Sequence, residues 1–248
     1  MSNQTLKAFA KKAVPKILLR NLRAAIDYPQ RQLARRRNMA KGSYVPTNAH
    51  VLGWRSVRVG RNSVIGDGAI LNVNHRNRPI VQISIGHSTF VGARSFFSPA
   101  ELIEIGDYGL VGIDCKFLGS GHIFSDPFKP YISTGTGSEG RMIIGTNCWI
   151  GVGVTILGSV TVGHGSVIGA GSFVRSDIPP FSIAIGNPAR VLRRYDPIGQ
   201  DWVAAADFTD AMAAALPDAA SYLATLERAY PNISVPVRAA GKSQGDLA

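Results

Sequence analysis

The stretch from Ile144 to Val174, IGTNCWIGVGVTILGSVTVGHGSVIGAGSFV, decides the fold. An aliphatic residue stands at every sixth position: Ile144, Ile150, Ile156, Val162, Ile168 and Val174. Moving back along the chain, the same spacing gives Ile105, Val111 and Phe117, then Ile85, Val91 and Phe97, then Val59, Ile65 and Leu71. Most of the aliphatic members are followed by Gly, as at Gly112, Gly145, Gly151, Gly163 and Gly169. Four residues after each aliphatic position sits a small side chain, among them Ser63, Thr89, Ser95, Cys115, Cys148 and Ser166.

A period of six matches neither the 3.6 of an α-helix nor the simple alternation of a hairpin strand. It suits a solenoid in which one hexad is one flat side and three sides complete a turn. The aliphatic residue then points inward and stacks on its counterpart one turn away. Gly at the next position suits a corner, where positive φ or close backbone approach costs little. The slot occupied by Cys115 and Cys148 is a buried one, so both thiols are read as packed rather than reactive.

Composition sets the outer bounds. The chain has 248 residues, enough for a full core in one or two domains. It contains no uncharged apolar run of about 18 residues, so no membrane-spanning helix is expected. Two cysteines without metal-like spacing argue against a disulfide framework or a zinc site. The net charge of +11 is concentrated at the N-terminus. Residues 1–45 hold eleven Lys and Arg against one acid, Asp27, leaving 16 basic and 15 acidic residues elsewhere.

Within that segment Leu6, Phe9, Ala10, Ala13, Ile17 and Leu18 recur at helical steps, with Pro15 and Pro29 as breaks. Two readings stay open for residues 1–48: a basic amphipathic helix on an anionic membrane surface, or a helical cap on the repeat domain. No nucleic-acid motif accompanies the charge, so nucleic acid is not an expected partner. Lys16, Arg20 and Arg23 interrupt the apolar run, which is not the pattern of a secretory signal.

The segment IIGTNCWIGVGVTILGSVTVGHGSVIGAGSFVRSDIPPFSIAIGNPARVLRRY resembles the C-terminal half of the hexapeptide-repeat acyltransferases. These include maltose and galactoside O-acetyltransferases, serine acetyltransferase and the sugar O-acetyltransferases of polysaccharide biosynthesis. The resemblance covers roughly residues 50–195 and is densest from 141 to 194. It implies a mainly β fold, a left-handed parallel β-helix, flanked here by α-helical ends, and usually a trimer. It also implies acetyl-CoA as co-substrate, bound between subunits, and a cytoplasmic location. The domain expectation is a repeat domain over 49–195 with a loop at 118–143.

The rhythm stops after Phe117 and resumes at Ile144, and His122 stands in the gap. The resemblance implies that His122, on a loop leaving the coil, is the general base. Imidazole suits that task because it titrates near pH ~6.5 and its neutral form accepts a proton at neutral pH. Asp126, Glu101 and Glu139 are candidates for an orienting carboxylate, and the sequence does not choose among them. His75, His87 and His164 are expected to face solvent, and their scatter disfavours a three-His zinc site.

The family places the pantetheine beside the turns that here read Trp149, Gly151 and Val152, and Ala170 and Gly171. Arg190 and Arg193 match the family cations near the CoA phosphates, where a planar guanidinium fork suits phosphate oxygens. Arg175, followed by Ser176, stands where the family has Thr-Lys, keeping a cation there at a shifted position. Phe124, Phe128 and Tyr131 in the loop suit either a sugar ring or a neighbouring subunit.

After Asp196 the hexads end, and residues 196–233 read as two Ala-rich helices broken near Pro217, with Asp available as N-caps. Residues 234–248 read as a disordered tail. The function expected from the resemblance is acetyl-CoA-dependent O-acetylation of a sugar hydroxyl in bacterial surface-polysaccharide assembly. An amino-sugar or antibiotic N-acetyltransferase, and a non-catalytic trimeric scaffold, are the alternatives.

Overall fold

The structure is a computed structural model and describes residues 32–75, 80–137, 140–231 and 233. Residues 1–31, which carry most of the basic amphipathic pattern, and Glu139 lie outside it, as do all residues of the 234–248 tail.

The hexads wind into a left-handed parallel β-helix with three flat faces. Face A stacks β2 (Val57–Val59), β5 (Ile83–Ile85), β8 (Leu102–Ile105), β11 (Arg141–Ile144) and β14 (Thr161–Val162). Face B stacks β3 (Val64–Ile65), β6 (Phe90–Val91), β9 (Leu110–Val111), β12 (Trp149–Ile150), β15 (Val167–Ile168) and β17 (Ser182–Gly186). Face C stacks β1 (His50–Leu52), β4 (Ile70–Asn72), β7 (Phe96–Ser98), β10 (Lys116–Leu118), β13 (Thr155–Leu157) and β16 (Phe173–Val174).

Register follows the hexads. Val111 pairs with Ile150 and Ile150 with Ile168, while Phe117 pairs with Ile156 and Ile156 with Val174. These inward residues are fully or almost fully buried and form one core along the axis. Along face C, the paired Phe97 and Phe117 stack with ring centroids 4.5 Å apart. Cys115 and Cys148 are buried as expected, and burial pushes the Cys148 thiol up to about 12.

The repeated Gly is required for close approach, not for positive φ. A Cβ on Gly112 would lie 2.7 Å from the backbone nitrogen of Val152, and one on Gly151 would lie 2.5 Å from that of Ala170. Left-handed φ falls two residues later in the turn, at Asn62, Ser88, Tyr108 and Asn147 and at Gly153 and Gly171. The turn therefore separates its two demands, packing at one position and chirality at another.

Every departure from the six-residue step falls at one corner. From face A to B and from B to C the inward residues stay six apart, as in Ile105, Val111 and Phe117. From face C to A the step is eight residues between Val51 and Val59, 14 between Leu71 and Ile85, eight between Phe97 and Ile105, and 27 between Phe117 and Ile144. Only between Ile156 and Val162 does that corner keep six.

The ends differ from the sequence expectation. The N-terminal boundary at 48/49 is too late: Met39 and Tyr44 already bridge in parallel to Val59 and Val64, and Val45 is buried. Of the helical segment, residues 32–38 are helical within the described chain. At the other end, β17 turns at Asn187–Pro188 into β18 (Ala189–Asp196), which continues into β19 (Asp201–Ala204), both antiparallel. The repeat domain thus extends past 195 by a strand, Asp201–Ala204, where the sequence pattern predicts helix. Helices follow at Asp210–Ala215 and Ala219–Ala229, capped by Thr209 and Asp218.

The second helix and its flanks run along the A–B corner. His164 Nε2 meets the Pro217 carbonyl at 3.0 Å, and Asn147 Nδ2 donates to the Tyr222 hydroxyl. Further down, the Tyr108 hydroxyl donates to the Tyr230 carbonyl and Ser88 Oγ to the Ile233 carbonyl. His164, Phe181 and Tyr222 form an aromatic cluster with centroids 4.9–5.6 Å apart.

Candidate active site

The corner between faces C and A carries the loop, and the loop carries His122. The outgoing limb leaves β10 at Gly119, whose N–H still bonds Ser98 O at 2.9 Å. The two limbs then close on one another as a short antiparallel ladder. Gly137 N donates to Gly121 O at 2.9 Å, Ile123 N donates to Gly135 O at 3.2 Å, and His122 bridges Thr136. His122 is therefore held by its backbone while its side chain is exposed.

Of the three candidate carboxylates, Asp126 and Glu101 are not placed as its partner, and Glu139 lies outside the described residues. Asp126 accepts from Phe128 N at 3.0 Å and pairs with Lys129 at 3.1 Å, so it closes a local turn. Glu101 anchors through its backbone N–H to Gly140 O. Exposed apolar side chains crowd the loop, with Phe124 at 79 % and Phe128 at 96 % exposure.

The feet of the loop rest on a polar cluster that the sequence reading missed. Asn74 Nδ2 donates to Ser120 Oγ at 2.6 Å and to Ser98 Oγ at 2.9 Å, and its own Oδ1 accepts from Asn72 at 2.8 Å. Ser98 and Ser120 hydroxyls are 3.1 Å apart. The signal available in sequence was the shared corner of the two interruptions, which stacks residues one coil apart.

The three histidines expected in solvent are all partly buried. His75 Nε2 meets Gly137 O at 3.1 Å, His87 Nδ1 accepts from Arg61 N at 2.8 Å, and His164 sits under the C-terminal helix. Turn positions in this coil are stacked on the next coil or on the flanking helix, which a single-turn view does not reveal.

The residues expected at the acyl donor divide into three places. Gly151, Val152, Ala170 and Gly171 line the corner between faces B and C. A Cβ built on Gly153 or Gly171 meets nothing within 4 Å, so this ridge presents open backbone that an extended pantetheine could lie along. Trp149 lies on the outer side of face B, half exposed, in a row that runs through Val167 and Ile183 to Arg193.

Arg190 and Arg193 share that outer side because of a bulge. Three residues apart on a regular strand, they would point to opposite faces. The register shift between Ile183 and Ala184 sets Arg193 opposite Ile183 and Arg190 opposite Ile185, which share one side. Both guanidinium groups are exposed, while Arg194 turns inward over the Phe208 ring at 3.9 Å. Arg175 does not join this set. It follows β16 at the C–A corner, above the root of the His122 loop. Within one chain His122 and the Val152–Ala170 ridge therefore occupy different corners of the prism.

Residues 141–176 match the bacterial transferase hexapeptide family (six repeats). The chain is 39% identical over 114 residues to a Staphylococcus aureus protein named as an acetyltransferase, covering 46% of this chain and 56% of that protein. It is 31% identical over 162 residues to a Mycobacterium tuberculosis protein named as an acetyltransferase, covering 65% and 51%. The chain thus spans about half the length of the curated relatives it matches. Among solved structures it is similar in fold to AntD, an N-acyltransferase from Bacillus cereus in complex with dTDP and 3-hydroxybutyryl-CoA. The TM-score is 0.56 at 21% identity, covering 68% of this chain and 90% of that one.

Proposed function

We propose that the chain is an acyltransferase of the hexapeptide-repeat family, whose model residues 141–176 match, and that it transfers an acetyl group from acetyl-CoA to a sugar hydroxyl, with His122 as general base. The observation that carries the reading is the corner bias. A coil that is otherwise regular releases its longest insertion at one corner, and that insertion holds an exposed imidazole by its backbone.

The chemistry follows from those groups. Neutral His122 accepts the proton of the acceptor hydroxyl as its oxygen bonds to the thioester carbonyl carbon. The carbon–sulfur bond then breaks, and the imidazolium returns the proton to the departing thiolate. Acetyl-CoA supplies the acyl group in activated form. The ridge of Gly151, Val152, Ala170 and Gly171 would lie along its pantetheine, Trp149 beside it, and Arg190 and Arg193 at its phosphates. Arg175 stands apart from that set.

A homotrimer is part of this proposal, because base and ridge sit on different corners and a neighbour could bring them together. Exposed Leu110, Trp149 and Val152 on face B and its corner provide apolar surface for such contact. The acceptor we favour is a glycan of bacterial surface-polysaccharide assembly, met in the cytoplasm. Residues 1–45, with their charge of +10, would bring the enzyme to anionic lipid on the inner membrane face. Among the described residues no helix is long and apolar enough to cross a membrane.

The test is thiol release from acetyl-CoA in the presence of a panel of sugars, glycans and amino sugars, with His122→Ala alongside. A loss of about 10²–10⁴-fold is expected for the variant. Wild-type turnover in His122→Ala would sink the base assignment, products only with amino sugars would redirect the acceptor to an amine, and absence of CoA binding would favour a scaffold.

A further inference from the structure

We infer that the dipeptide Asn74–His75 is a clamp that positions the His122 loop, gripping one of its limbs with each residue. The inference rests on His122 acting as base. It explains the first interruption of the coil, which the reaction itself does not use.

The insertions after β4 and β10 lie at the same corner, two coils apart, with β7 between them. Asn74 reaches past that coil to the outgoing limb, its amide donating to Ser120 Oγ at 2.6 Å and to Ser98 Oγ at 2.9 Å on the way. His75 reaches the returning limb, where Nε2 meets Gly137 O at 3.1 Å. A carbonyl can only accept, so Nε2 carries the hydrogen. Gly137 in turn donates to Gly121 O, the residue before His122. The clamp is itself fixed from behind: Asn72 donates to Asn74 Oδ1, and the fully buried Gln82 donates to the His75 carbonyl at 2.8 Å.

This arrangement answers a difficulty of the site. No described carboxylate orients the His122 ring, and the loop carries little buried apolar surface of its own. Its geometry must therefore be imposed from the coil, and the only place where both limbs meet side chains of one neighbouring segment, among the described residues, is Asn74–His75. A base displaced by about 1 Å loses on the order of 10²-fold in rate, so a clamp remote from the reacting atoms can control turnover.

The test compares His75→Phe, which keeps a ring but removes the donor, with His75→Gln, which restores one at similar reach. Ser120→Ala releases the other limb. Each is assayed for kcat and for KM toward acetyl-CoA, and native-state amide exchange is followed at Ile123 and Gly137. His75→Phe and Ser120→Ala are expected to lower kcat on the order of 10²-fold, with KM changed by no more than about twofold. Exchange at Gly137 should speed up, and His75→Gln should recover most of the rate. Unchanged kcat in His75→Phe, or unchanged exchange at Gly137, overturns the clamp. If His122→Ala retains turnover, the base reading fails by its own control, and the exchange data still decide whether Asn74–His75 holds the loop.

Discussion

The A–B and C–A corners are edges of the same prism, made by the same coils, and they treat the chain in opposite ways. At the A–B corner every step is six residues, the turns stack within van der Waals contact, and the C-terminal segment lies over them from Ser88 to His164. At the C–A corner four of the steps are lengthened, the longest insertion swings outward, and its His122 side chain stays in solvent. The first corner is built for support. The second is where the fold can vary its backbone without disturbing the core, because each insertion returns to the same inward register. Function in such a coil is expected where the period fails.

The comparison is broken most forcefully by putting the same side chain at both corners. Gly106, at the A–B corner, would set a Cβ 2.7 Å from the Thr146 backbone nitrogen, whereas a Cβ on Gly121, at the loop, meets nothing within 4 Å. Gly106→Val should destabilise the protein by about 3 kcal/mol, since the obstructing atoms are backbone of the next coil and cannot turn aside. Gly121→Val should change stability by less than about 0.5 kcal/mol. Denaturant unfolding of the two variants measures the contrast, and equal losses would mean the corners are not differently packed.

A smaller effect sharpens it from the covered side. Tyr222→Phe removes the hydrogen bond from Asn147 and should cost about 1 kcal/mol in thermal unfolding while leaving acyl transfer intact. Burial also pushes the Tyr222 phenol above its ordinary value. Its neutral form is thus favoured by folding, so its contribution is complete below pH about 10 and is lost as pH rises through the raised value. The wild type should therefore lose more stability than Tyr222→Phe above that pH, and parallel curves would mean that Tyr222 does not fasten the C-terminal helix to the coil.

Much of this was legible in the sequence. The hexads fix both burial and register because one residue in six carries the core and, on faces A and B, Gly follows it where the next coil lies too close for a Cβ, and the break at His122 shows as a failed period. The docking of the C-terminal segment was not legible: the Ala219–Ala229 helix has no buried residue, and it docks through single hydrogen bonds and one ring cluster. The shared side of Arg190 and Arg193 depends on a bulge at Leu192 that spacing alone would have misassigned. The Asp201–Ala204 strand was not legible either, because the antiparallel pair it makes with Ala189–Asp196 abandons the period of six, and the Ala-rich sequence beyond Asp196 reads as helix. The polar grip on the loop was hidden for a further reason, since Asn74 and Ser120 are 46 residues apart and meet only through stacking of coils.

The central claim is that the base on one corner works with the acyl-donor ridge on another, supplied by a neighbouring subunit. The most direct measurement mixes two inactive variants, His122→Ala and Val152→Trp, after joint unfolding and refolding. Random assembly of a trimer gives about one intact composite site in four, so activity should return to roughly a quarter of wild type. Activity that stays at the level of the separate variants would contradict the claim and put the whole site within one chain.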